Sequence, residues 1–165
     1  MASNEMEECL EEARSQFDIP PGEEEIEEGL NTNNETELQL RKACRLLKAS
    51  KELLEEKSYY ILVIDACFTA IERSIQARLY EVKILDEGEA VFDHERIYEE
   101  GAMGGIYDEE FAESLKQLWR ENRSKNYYRE GIPSLSRARK MYDLASSIHN
   151  HIIGMSSNGH KCICE

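Results

Sequence analysis

From Tyr59 to Tyr80 apolar side chains recur at Tyr60, Ile61, Val63, Ile64, Cys67, Phe68, Ala70, Ile71, Ile75, Ala77 and Leu79, with no Gly or Pro between them. Those positions cover much of a helix's circumference instead of one stripe. A helix of that kind is stable in water only when other elements cover it on several sides, so the segment predicts the centre of a helical bundle. It does not predict a membrane span. No stretch of the roughly eighteen uninterrupted apolar residues that a span requires occurs in the chain.

The rest of the sequence supplies partners for that helix. From Glu35 an apolar stripe of Leu38, Leu40, Ala43, Cys44, Leu46, Leu47, Leu53 and Leu54 predicts a long helix ending near Glu56 to Ser58. Val82 to Glu89 patterns weakly, and Phe92 to Gly101 predicts a shorter helix broken by the glycines of GAMGG. Asp108 is the expected cap of a helix carrying Phe111, Leu115, Leu118 and Trp119 at helical steps. Gly131 and Pro133 close that segment. Ser134 or Ser136 then caps a last helix carrying Ala138, Met141, Tyr142, Leu144, Ala145, Ile148, Ile152 and Ile153, with Gly154 as its expected end. No strand-like alternation competes. The expectation is an all-α fold, a four- or five-helix up-and-down bundle over residues 35–154.

Residues 1–34 read differently. Met6 to Phe17 predicts a short amphipathic helix, stopped by Pro20, Pro21 and Gly22, before an acidic and then Asn-rich linker. The formal net charge is -14, but residues 1–30 hold eleven acidic side chains against Arg14 alone, while the remainder carries 23 acids and 19 bases. Most of the imbalance therefore belongs to the extension, which is expected to serve solubility or to compete with phosphate for a basic patch. Met1 opens onto acidic residues, not a signal peptide, and five irregularly spaced cysteines do not form a secreted disulfide pattern; a cytoplasmic protein is expected. Residues 155–165 are expected to be a flexible tail. Its His160, Cys162 and Cys164 offer three metal-ligand candidates without a Cys-x-x-Cys element, so no metal or other cofactor is expected.

One segment reverses the sign of the chain. Lys116 to Lys140 holds eight bases (Lys116, Arg120, Arg123, Lys125, Arg129, Arg137, Arg139, Lys140) against Glu121 and Glu130, with Trp119, Tyr127 and Tyr128 among them. Cations for phosphate interleaved with planes for stacking are the combination found in single-stranded nucleic-acid grooves. The bland alternative is a solvated helix face with aromatics completing the core.

The apolar helix with its AIERSIQARLY, the short broken helix, a helix ending in RENRSKNYY and a final helix after a Pro-Ser turn together resemble the HEPN superfamily. The resemblance covers about residues 35–154 and implies a helical bundle that binds nucleotides or, in many members, cleaves RNA without metal. Those members use an Arg, four to six intervening residues and a His, commonly with two copies facing one cleft of a homodimer. Here Arg123 matches the Arg, Ser124 to Tyr127 form the spacer, and Tyr128 stands at the His position. Tyrosine titrates near pH 10, so a Tyr128 base would need a depression of about three units, worth roughly 4 kcal/mol. Weak or absent ribonuclease activity is therefore expected.

His149 and His151 stand about 200° apart on the last helix, so at most one can face the Arg123 turn, and a core role for one and exposure of the other is the simpler expectation. His94 receives no role. Asp65 and Glu72 lie about two turns apart and are expected to orient a catalytic group or, as the simpler reading, to pair with a base on a neighbouring helix. A hydrolase metal site built on them and a histidine lacks the Glu-x-x-His element of di-iron bundles.

The leading expectation is binding of RNA or a nucleotide, or of a nucleotidyltransferase-type partner in a toxin–antitoxin-like pairing, through Arg120, Arg123, Lys125, Tyr127, Tyr128 and Arg129. The alternative is a homodimeric interaction bundle with Trp119, Tyr127 and Tyr128 at its interface.

Overall fold

A computed structural model describes residues 3–157. The chain divides into two compact units, residues 1–31 and residues 32–165. In the first unit, α1 (Asn4–Phe17) is capped by Ser3, whose hydroxyl accepts from the Met6 N–H, and buries no residue. Met6, Leu10 and Phe17 stay exposed. A 3-10 turn, Glu23–Glu25, follows.

The second unit holds α2 (Glu35–Glu55), α3 (Tyr60–Glu81), α4 (His94–Met103), α5 (Glu109–Lys125) and α6 (Leu135–Met155). Among the described residues there is no strand, and no helix is long and apolar enough to cross a membrane. The bundle is the expected one, with five helices. α3 is its axis: twelve of its 22 residues are buried, and α2, α4 and α6 all pack on it. The caps follow their residue types, because Asn34, Asp93, Asp108 and Ser134 each accept a backbone N–H of the helix they open.

Two glycine expectations need correction. The glycines of GAMGG do end the third bundle helix, but at Gly104 and at Gly105 with its φ of 74°, not at Gly101: α4 continues through that residue to Met103. Gly101 is buried, and a Cβ there would meet the Tyr107 hydroxyl, which donates to the Tyr98 carbonyl at 3.0 Å. The glycine serves close approach inside a helix and does not end it. Gly154 likewise does not end α6. The helix passes it and stops when the Ser156 N–H folds back onto the Ile152 carbonyl at 3.1 Å.

One buried polar group ties three helices together. His149 of α6 is fully buried, with Nδ1 2.8 Å from Ser74 Oγ of α3 and Nε2 3.2 Å from Cys44 Sγ of α2. The Ser74 hydroxyl donates to the Ala70 carbonyl at 2.8 Å, so Nδ1–H donates to Ser74 and Nε2 is left facing the thiol. Cys67 of α3 is also buried, and burial pushes its thiol up to about 11. After α6, Ser156 Oγ and the Ser157 N–H both donate to Glu81 of α3, at 2.8 and 3.1 Å. The start of the stretch expected to be a flexible tail is thus anchored; residues 158–165, with His160, Cys162 and Cys164, lie outside the described residues.

Candidate nucleic-acid interface

α5 presents Ala112, Leu115, Leu118 and Trp119 to the bundle at steps of three and four, which carries Trp119 to a half-buried position against the core. The indole is the centre of a cluster drawn from three helices. His94, the first residue of α4, stacks on it with ring centroids 4.9 Å apart and planes inclined by 23°. One turn further along α5, the Arg123 guanidinium carbon lies 5.3 Å from the same ring's centroid, within cation–π range. On the far side of His94, Nδ1 meets Glu72 Oε1 of α3 at 2.7 Å, and the Tyr98 hydroxyl donates to that oxygen at 3.0 Å. Burial first, then the Glu72 carboxylate, drive the Tyr98 hydroxyl far above the ordinary phenol range, so it stays protonated and donates. The imidazole is therefore oriented by a carboxylate, itself held by a phenol, and its side chain remains 48% exposed.

Glu72 thus finds the partner on a neighbouring helix that its position requires, and that partner is His94. Asp65 does not join it: it is exposed and lies about 10 Å further back along α3. Loss of some hydration against the neighbouring protein raises its carboxyl above the usual range without a compensating cation.

The eight cations between Lys116 and Lys140 separate into two groups. Lys116 donates to Glu99 at 2.6 Å and to Glu113 at 2.9 Å, bonds that raise its ammonium above the ordinary range and lower the Glu113 carboxyl. Arg120 is engaged by Glu95 and, at 3.5 Å, by Glu113, which sets it apart from the phosphate-binding role expected for it. Lys140 lies 3.7 Å from Asp143. Arg123, Lys125, Arg129, Arg137 and Arg139 enter no salt bridge among the described residues. Arg123 and Lys125 also occupy the last turn of α5, where positive charge complements the helix dipole.

After Lys125 the chain turns tightly. The Tyr128 N–H donates to the Lys125 carbonyl at 2.9 Å, and a 3-10 turn over Arg129–Gly131 brings Gly131 back onto the Lys125 and Asn126 backbone, where a Cβ would collide. This return explains why position 131 is glycine and why Tyr127 and Tyr128 project outward, 84% and 67% exposed. The Tyr128 hydroxyl has no hydrogen-bond partner among the described residues, so nothing there activates it as a base.

Neither α6 histidine reaches this turn. His149 is sealed in the core, and His151 Nε2 bonds the Ile106 carbonyl at 3.1 Å, ahead of the start of α5 and about 20 Å along that helix from Arg123. The expected division into one core histidine and one exposed histidine holds. The imidazole that sequence reasoning missed is His94, whose only local signal is its place just after a capping Asp; its contacts with Glu72 and Trp119 are tertiary. No group of three or more His, Cys, Asp or Glu suited to a metal occurs among the described residues.

A family model described as Domain of unknown function (DUF8154) matches residues 1–164. The chain belongs to this family. The DUF8154 match extends over the acidic α1 segment as well as the bundle. No curated protein and no solved structure matches the chain.

Proposed function

We propose that the end of α5 and the turn after it form a binding face for single-stranded RNA or nucleotides. Arg123, Lys125 and Arg129 take phosphate, while Trp119, Tyr127 and Tyr128 offer planes to bases. One observation carries this reading. In a chain of net charge -14, these three cations enter no ion pair among the described residues, and they flank two widely exposed tyrosines. Cations left unneutralised amid an excess of carboxylates attract an external anion. The nucleotide-binding role implied by the HEPN resemblance agrees, and a homodimer or a nucleotidyltransferase-type partner would use the same surface.

Titration of the purified protein with fluorescent single-stranded RNA at low salt tests the proposal. Arg123→Ala is expected to weaken binding about tenfold and to reduce the slope of log affinity against log salt by about 0.7, one phosphate contact on a single strand. An absence of affinity, or an affinity indifferent to that change, refutes it.

A second reading rests on the Glu72–His94 pair. The His94 imidazole is oriented by a carboxylate, whereas the Tyr128 hydroxyl has no partner among the described residues, so His94, not Tyr128, is the base for any attack by an RNA 2'-hydroxyl at this face. Under this reading Glu72 orients the imidazole and Arg123 stabilises the phosphorane charge. Cleavage abolished by His94→Ala and untouched by Tyr128→Phe supports it; the reverse pattern, or no cleavage by the full chain, removes it.

A further inference from the structure

α5 packs on α4, and the Arg129–Gly131 turn leads the chain on to α6, yet α5 and α6 themselves scarcely touch. The gap is a groove of about 360 Å³. Ile64 and Phe68 of α3 and Met141 of α6 form its floor, so the groove exposes the edge of the bundle core; Leu118 and Leu144 are its walls. At the rim stand Lys125 and Arg137, two of the cations without an ion pair among the described residues, beside the Asn122 and Asn126 amides. Glu121 is the one acidic side chain in the lining.

Small-molecule sites are typically roughly 300–1,000 Å³, apolar inside, with a few polar groups that fix orientation. A stacked nucleobase suits this groove poorly, since Phe68 is the lining's one ring and the remaining apolar surface is aliphatic. We infer that the α3–α5–α6 groove binds an amphipathic monoanion, an alkyl chain lying on Ile64, Phe68 and Met141 with its carboxylate at Lys125 and Arg137. This goes beyond the RNA-binding reading. It shares Lys125 with that face, but Arg137, Met141 and Leu144 are separate from it.

The test is calorimetric titration of the full chain with dodecanoate, with dodecyltrimethylammonium as the cationic counterpart, both below their micelle thresholds, and with anionic phosphatidylglycerol vesicles. Dodecanoate is expected to saturate one site per chain, and the cationic amphipath is expected not to bind. Arg137→Glu should weaken dodecanoate at least about tenfold, the scale of losing one charge-assisted contact. Leu144→Trp, which fills the groove, should abolish binding while the far-ultraviolet spectrum stays helical. Should that variant unfold, Leu118→Gln tests the wall at smaller cost, with weaker binding again the expected result. Equal binding of the two amphipaths, indifference to Arg137→Glu, or binding to vesicles without binding to monomeric dodecanoate overturns the inference. RNA titration of Arg137→Glu separates the two proposals: unchanged RNA affinity with lost dodecanoate binding assigns the groove its own ligand.

Discussion

His149 and His94 are each held by polar side chains from other helices, and the two settings make opposite use of the same ring. Around His149 every wall is core, and the imidazole's polar atoms are answered by Ser74 and Cys44. Its role is cohesive. A buried polar group that found no partner would cost free energy, so the trio requires α2, α3 and α6 to meet in one register. Around His94 the carboxylate and the phenol come from the protein, but the ring remains half in solvent, stacked on an indole that also carries a guanidinium. The polar atoms are oriented there without being enclosed. Burial, more than residue type, separates a structural imidazole from one available to a ligand.

The comparison breaks most readily at the sealed ring. His149→Ala removes a fully buried side chain together with its bonds to Ser74 and Cys44, and is expected to cost about 3–5 kcal/mol in urea unfolding. A loss below about 1 kcal/mol would make the trio incidental. At the open site, Trp119→Ala should cost about 1–3 kcal/mol in RNA affinity, the scale of one lost base stack, as read by fluorescence titration.

A carboxylate between these extremes supplies a pH test. Burial opposes the Glu81 charge, but bonds from Ser156, Arg78 and the Ser157 N–H outweigh it and hold the carboxyl below the usual range. Because the folded value lies below the unfolded one, the stabilisation is present above about pH 4.3 and is lost as pH falls through the folded value. Glu81→Gln should therefore lower Tm at neutral pH and flatten its fall in acid; an unchanged acid limb would contradict this. The smallest effect is expected at His94. His94→Ala should change stability by less than about 1 kcal/mol, as for a half-exposed pair, while still altering RNA binding.

The helices were legible because apolar spacing and caps are local. Leu38 to Leu54, the circumferential apolarity after Tyr60, and Asp108 and Ser134 as caps all appear in the structure where the pattern places them. Glycine was less legible, since the same residue that ends a helix also permits close approach within one, and only the position of Tyr107 distinguishes the two at Gly101. The cationic segment was visible as composition. Which cations are already occupied was not, because Glu95 and Glu99 reach Arg120 and Lys116 from α4. The Glu72–His94–Trp119 cluster was illegible for the same reason: its members are 22 and 25 residues apart in sequence and meet only when α4 folds onto α3 and α5 onto α4.

The one-sided attachment of α5 also bears on how the molecule opens. A helix bound firmly to α4 and hardly to α3 or α6 can separate without disturbing the core that α2, α3, α4 and α6 share, so α5 is the natural unit of partial unfolding. Amide protons of α5 should then exchange with deuterium well before those of α3 and before those of α4. In that opened form Trp119 would part from the imidazole that the α3 carboxylate orients, so the lifetime of the docked helix sets how long the surface is assembled.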